Sequence, residues 1–156
     1  MKHPVLKTFS ILLPLVVAST ASASTNEIWK GEGKLYGLNR DLVSTYNVEV
    51  HIETNSESEK QVKVQVHDQK GNTIQTNVCN VKSQDLSWIK NCDNGTSRGA
   101  MFEHGLGIDY FETSQGKSFA TNIVMDSDSR MRLFRVEMLN GKATRFFVEV
   151  LNKIND

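Results

Sequence analysis

The stretch "TYNVEVHIE" places Tyr46, Val48, Val50 and Ile52 in strict alternation with Asn47, Glu49, His51 and Glu53. Every second residue shares a face only in an extended chain, so the segment reads as a strand with one face out of water. "QVKVQVH" repeats the rule with Val62, Val64 and Val66 against Lys63, Gln65 and His67, and the polar "TNSESEK" between them reads as a hairpin loop. "DQKGN" offers Gly71 for the left-handed position of a bulged hairpin, and "NTIQTNVCNV" follows as a third strand. Further along, "GAMFEHG", "GIDYFET", "KSFATNIVM", "RMRLFRVEML" and "ATRFFVEVL" each read as strands, with "LNGK" supplying an Asn-Gly turn between the last two. "SQDLSWIKNC" admits two readings. Leu86 and Ile89 stand at helical spacing behind a Ser83 cap, whereas a strand reading reverses the chain near residues 84–86 and puts Trp88 on the same face as Cys79 and Cys92.

With the first segment included, the count is nine or ten strands joined by short turns, without a sustained 3.6-residue period. The expectation is an all-β domain, a single antiparallel up-and-down β-barrel of about 8–10 strands, with a β-sandwich as the alternative.

The opening "MKHPVLKTFSILLPLVVASTASAS" has Lys2 and Lys7, an apolar run over residues 9–17 and the small residues Ala21-Ser22-Ala23. This is the pattern of a secretory signal with an A-x-A cleavage site, so residues 1–23 are expected to be a signal peptide and residues 24–156 the barrel domain. The apolar run is shorter than the roughly 20 residues of a spanning helix, and no later run approaches that length. The expected product is soluble after cleavage, secreted or periplasmic. Lysine plus arginine and aspartate plus glutamate number 18 each. Losing Lys2 and Lys7 leaves 16 against 18, a net charge of about −2 with no basic block, which argues against nucleic acid as a partner. In an oxidising compartment Cys79 and Cys92, the two cysteines of the chain, are expected to form a disulfide.

"IWKGEGKLYG" carries three glycines in its last seven residues. In a strand, Trp29, Gly31, Gly33 and Leu35 share one face, leaving bare backbone beside the tryptophan. Such a strand can coil sharply, and a large ring can lie over it. A phosphate loop would need a helix to follow, and no helical pattern does. "WKGEG" near the start of a small β-meander resembles the first strand of calycin-type barrels, the lipocalins and nitrobindin-like proteins, where W-x-G-x-G occurs at the same place. The resemblance implies a barrel holding a small apolar ligand, with the first-strand tryptophan closing one end beneath an arginine from a late strand. Arg132, Arg135 and Arg145 are the candidates. Glu27 stands where the lipocalin signature has glycine, and no histidine follows His104 to match the haem ligand of the nitrobindin type, so haem is not implied.

For the ligand wall the candidates are Trp29, Leu35, Tyr46, Val48, Val50, Val64, Phe119 and Phe134, inward positions on alternating strands or rings belonging to a core. A two-residue turn at Asn140-Gly141 would set Phe134 opposite Phe147 and Arg132 opposite Glu149, with Arg135 opposite Phe146 on the other face. His51 and His67 fall on the polar faces of adjacent strands, where Glu49 or Glu53 could add a metal ligand, but two surface histidines on a polar face are more often just solvated, so no metal is expected. "DSDSR" lacks the glycine and terminal glutamate of a calcium loop, and Asn94-Gly95-Thr96 is a glycosylation acceptor that also reads as a turn. With no G-x-S-x-G elbow and no Ser, His and Asp arrangement, the expectation is neither enzyme, metal nor cofactor. The leading reading is an exported barrel that binds a small, largely apolar molecule. The alternative is a protein-interaction module, an inhibitor or envelope assembly factor, working through loops or a sheet edge.

Overall fold

The computed structural model describes residues 25–154, so the expected signal peptide lies outside the described residues. Ten strands follow one another: β1 (Thr25–Tyr36), β2 (Leu42–Thr54), β3 (Glu59–His67), β4 (Thr73–Gln84), β5 (Ser87–Cys92), β6 (Gly95–Met101), β7 (Leu106–Thr113), β8 (Lys117–Ser127), β9 (Arg130–Leu139) and β10 (Lys142–Ile154). Each pairs antiparallel with the next, and β1 pairs with β10, which closes the sheet into an up-and-down barrel. The barrel expectation holds and the sandwich does not. Among the described residues no helix is long and apolar enough to cross a membrane. The outer face of β2 and β3, with Asn47, Glu49, His51 and Glu53 beside Gln65, Lys63 and Gln61, faces water.

Closure rests on the bare face of β1. Its pairing with β10 runs from Ile28 opposite Ile154 to Tyr36 opposite Phe146. A Cβ at Gly31 would overlap the Val150 carbonyl oxygen, and one at Gly33 would overlap the Tyr46 ring. The missing side chains therefore let β10 approach and give Tyr46 a place to lie. Gly99 does the same for the Trp88 ring on the opposite wall.

One end of the barrel is closed. Trp29 and Leu151 are fully buried, and Ile52, Val81, Trp88, Met101 and Met125 are buried with them. These inward side chains fill the end formed by the loops at residues 55–58, 85–86, 102–105 and 128–129, here called the floor. The loops at residues 37–41, 68–72, 93–94, 114–116 and 140–141 surround the opposite end, the mouth.

Three sequence expectations are corrected or resolved. The stretch with two readings is β4 turning into β5: the chain reverses at Asp85, which has φ of 52°, and Leu86 and Ile89 are exposed rather than packed. Trp88 shares the inner face with Cys79 and Cys92, which pair directly and form the disulfide. The strand expected at residues 99–105 is β6, running instead over Gly95–Met101, and a short turn at Glu103–Gly105 follows it, where His104 and Gly105 at positive φ break the extended chain. Its inner residues Ser97 and Gly99 are polar or small, which hides the alternation that marks a strand. Asn140 and Gly141 do form the expected turn with positive φ, but the register shifts between Ala143 and Arg145. The bulge at Thr144 makes the observed pairs Arg135 with Phe147, Phe134 with Val148 and Arg132 with Val150.

Two stability measurements follow. Reducing the Cys79–Cys92 bridge, which spans a separation of 13 residues, should cost about 3 kcal/mol and lower the thermal midpoint by several degrees. An unchanged midpoint in reductant would contradict this. Gly33→Ala should lose about 2 kcal/mol by overpacking against Tyr46. Gly37→Ala, whose new methyl would meet the Val43 side chain at an ordinary 3.8 Å, should be near neutral in the same denaturant titration.

Candidate functional site

Alternation sends one residue in two to the interior, and the register shows which residues meet there. Asp109 on β7 lies opposite Thr121 on β8, Thr121 opposite Arg135 on β9, and Arg135 opposite Phe147 on β10. Glu149, the next inward residue of β10, lies opposite Gly33, and Gly33 opposite Tyr46 on β2. Polar side chains thus form a belt above a floor that is apolar apart from the buried Lys60 and the Glu27–Lys153 pair at its end.

Two ion pairs anchor this belt. Glu149 is buried; its Oε1 accepts the Tyr46 hydroxyl at 2.8 Å and its Oε2 accepts Arg135 Nη2 at 3.1 Å. Burial, and then the neighbouring Glu149 charge, push the Tyr46 phenol far above its usual pKa, outweighing the opposing effect of Arg135. Asp109 gathers three donors on Oδ1: Trp88 Nε1 at 2.7 Å, Ser97 Oγ at 2.5 Å and Lys90 Nζ at 3.1 Å. Both carboxylates are thereby paired and hydrogen-bonded, the condition under which a charge is tolerated away from water.

Above the belt the inner wall is apolar and partly wet. Leu35, Val64, Val66, Phe111, Phe119 and Phe147 all face inward yet are only half-buried. Nearer the floor Trp29, Ile52, Trp88 and Leu151 are buried, while Val62, Ile123 and Met131 are part-buried like the upper ones. Phe119 sits 6.2 Å from Phe111 and 6.3 Å from Phe147, centroid to centroid, and the Arg135 guanidinium lies 6.0 Å from the Phe147 centroid. Near the mouth, Glu137 accepts the Thr144 hydroxyl at 2.7 Å, with Lys117 Nζ and Arg145 Nε each 4.0 Å from the same carboxylate. These residues outline the upper interior, here called the cup, with an aromatic wall and a polar belt at its base. It is suited to taking an apolar body out of water.

The sequence candidates divide among these zones. Leu35, Tyr46, Val64 and Phe119 face the cup or its base, while Trp29, Val48 and Val50 lie in the closed core. Phe134 is on the outer wall, 38% exposed, because the observed register puts it out of phase with Phe147. Of the arginines, Arg135 is inside; Arg145 is exposed at the mouth; Arg132 is outside, bound to Asp126 with Nη2 at 2.6 Å. Trp29 Nε1 reaches Glu27 at 3.5 Å, and Lys153 Nζ binds that glutamate at 2.9 Å. His51 lies opposite Lys63 and His67 opposite Asn47, so the two histidines are four positions apart along β2 and share no site. Asp109, Thr121 and Glu137 were passed over in the sequence, and Glu149 was placed opposite Arg132 rather than beside Arg135. Each carries its polar group in phase with apolar neighbours of its own strand, and that phase was the available signal.

No family model and no curated protein sequence matches the chain. The barrel is similar to the structure of the S-type phycobiliprotein lyase CPES from Guillardia theta, with a TM-score of 0.59 and 8% identity over 83% of this chain and 86% of that one. The ywiB protein from Bacillus subtilis aligns over 85% of this chain and 94% of its own, at 7% identity and a TM-score of 0.37. At such identity the first likeness establishes the shared barrel fold and nothing about chemistry.

The belt makes two further predictions. A phenol protonated in the fold and ionisable in the unfolded chain near pH 10 stabilises the barrel below that pH and loses the contribution as pH rises above it. Followed by tyrosinate absorbance, Tyr46 should stay silent until the barrel unfolds, so Tyr46→Phe should leave the native titration amplitude unchanged. A smaller amplitude in the variant would contradict the burial. Glu149→Ala should cost about 3 kcal/mol by stranding Arg135 and the Tyr46 hydroxyl. Adding Arg135→Met should restore part of that loss, whereas strict additivity in a double-mutant cycle would sink the pairing.

Proposed function

We propose that the protein is exported and that its cup binds a small, largely apolar molecule. The observation that carries this reading is the half-buried inner wall of Leu35, Val64, Val66, Phe111, Phe119 and Phe147 between the packed core and the mouth. Apolar surface left accessible inside a concave site is where a ligand gains most from leaving water. The disulfide is consistent with export, since such bonds persist in oxidising compartments. The likeness to a protein named a phycobiliprotein lyase supports the barrel fold on which this reading rests and brings no activity with it.

A second reading, a protein-interaction module, draws on the outer wall. Ile108 and Tyr110 on β7 and Phe134 on β9 are large, outward and well exposed, and small or polar residues Ala120 and Asn122 lie between them on β8. An apolar patch of this kind is a contact surface more often than an accident.

Titration with the neutral fluorophore N-phenyl-1-naphthylamine separates the readings. The cup should give saturable, one-to-one binding with a blue-shifted emission, and Phe119→Asp should weaken it at least about tenfold, the order of 1.4 kcal/mol. Ile108→Ser on the outer wall should leave it unchanged. Absent saturation, or a loss that follows Ile108 instead of Phe119, would overturn the cup.

A further inference from the structure

Resting on that reading of the cup, we infer that its ligand is an amphiphilic anion, held with its acidic group against Arg135 and its apolar body against Phe111, Phe119 and Phe147. The charge inventory of the inner face points this way. Above the floor the inward cations are Lys90, Lys117, Arg135 and Arg145, and the inward anions are Asp109, Glu137 and Glu149. One positive charge is therefore in excess within the cup, although lysine plus arginine and aspartate plus glutamate balance at 18 each over the whole sequence.

Arg135 is the cation best placed to use that excess. Its side chain is 32% exposed, whereas its partner Glu149 is 4% exposed. Glu149 takes a hydrogen bond from Nη2 alone, and the other Glu149 oxygen is occupied by Tyr46. A guanidinium has five N–H donors in a rigid fork, so the Nε and Nη1 donors of Arg135 stay available to an oxyanion. The Glu149 and Tyr46 contacts hold the fork in place, and Phe147 lies under it. A ligand entering through the mouth would pass the phenylalanines with its apolar part and present its acid at the belt. Lys117 and Arg145, 45% and 57% exposed beside Glu137, stand at the entrance where they attract the same sign of charge. Asp109, the other carboxylate of the belt, is held by Lys90, Trp88 and Ser97, which keeps its charge from opposing the anion.

Two probes with one body and different charge test this: 1-anilinonaphthalene-8-sulfonate and its neutral parent N-phenyl-1-naphthylamine, titrated against the full mature chain at low salt. The sulfonate should bind at least about tenfold tighter, the scale of one hydrogen bond to a charged group. In Arg135→Met/Glu149→Gln, which removes both charges of the pair, the ratio of the two affinities should fall to near one. Arg135→Lys keeps the pair but loses the fork, and should lower the same ratio if the double variant does not fold. Equal affinities in the unaltered protein would leave the cup standing and overturn the anion assignment. A preference that survives both Arg135 variants and vanishes in Lys117→Met/Arg145→Met would also overturn it, placing the acid at the mouth. Binding of neither probe would sink the ligand-binding reading itself.

Discussion

Strand β1 pairs with β10 because Gly31 offers no side chain to the Val150 carbonyl and Gly33 none to the Tyr46 ring. Without that pairing the ten strands would be an open sheet with two exposed edges, and an inside would not exist. The same two glycines set the contents of the interior. Tyr46, lying over Gly33, delivers its hydroxyl to Glu149, so the residue that closes the barrel also fixes one end of the polar belt.

The belt divides the interior into parts with different physics. Below it, Trp29, Leu151 and the methionines Met101 and Met125 pack out of water, and burial alone accounts for their stability. At the belt, ionised groups are retained only in pairs, because desolvation of a lone charge outweighs any single contact. Above it, three phenylalanines remain partly wet. That partly accessible apolar wall beside an oriented guanidinium is what the proposed ligand would cover.

Much of the fold was legible because period two is hard to mistake. Val48, Val50, Val62, Val64 and Val66 declared their faces, and Gly31 and Gly33 marked the bare face of β1. β6 was harder to read because Ser97 and Gly99 face inward without being apolar, their places taken by the Trp88 ring and the Asp109 carboxylate. The last hairpin was misaligned by one residue, since a bulge at Thr144 leaves no mark in an Asn-Gly turn. That slip displaced Phe134 to the wall and hid the partnership of Arg135 with Glu149. The site itself was half visible: Leu35, Tyr46, Val64, Phe119 and Arg135 were named from alternation and resemblance. Asp109 and Glu149 escaped because a charged residue in phase with apolar neighbours reads as an outward one until its partner across the barrel is known.

Nuclear Overhauser contacts between the bound naphthyl ring of N-phenyl-1-naphthylamine and the labelled protein locate the apolar body most directly. The cup predicts contacts to the rings of Phe111, Phe119 and Phe147 and to the methyls of Leu35, Val64 and Val66, with Met101 and Met125 on the floor silent. Contacts confined to Ile108, Tyr110 and Phe134 would contradict it and move the working surface of this barrel to its outer wall.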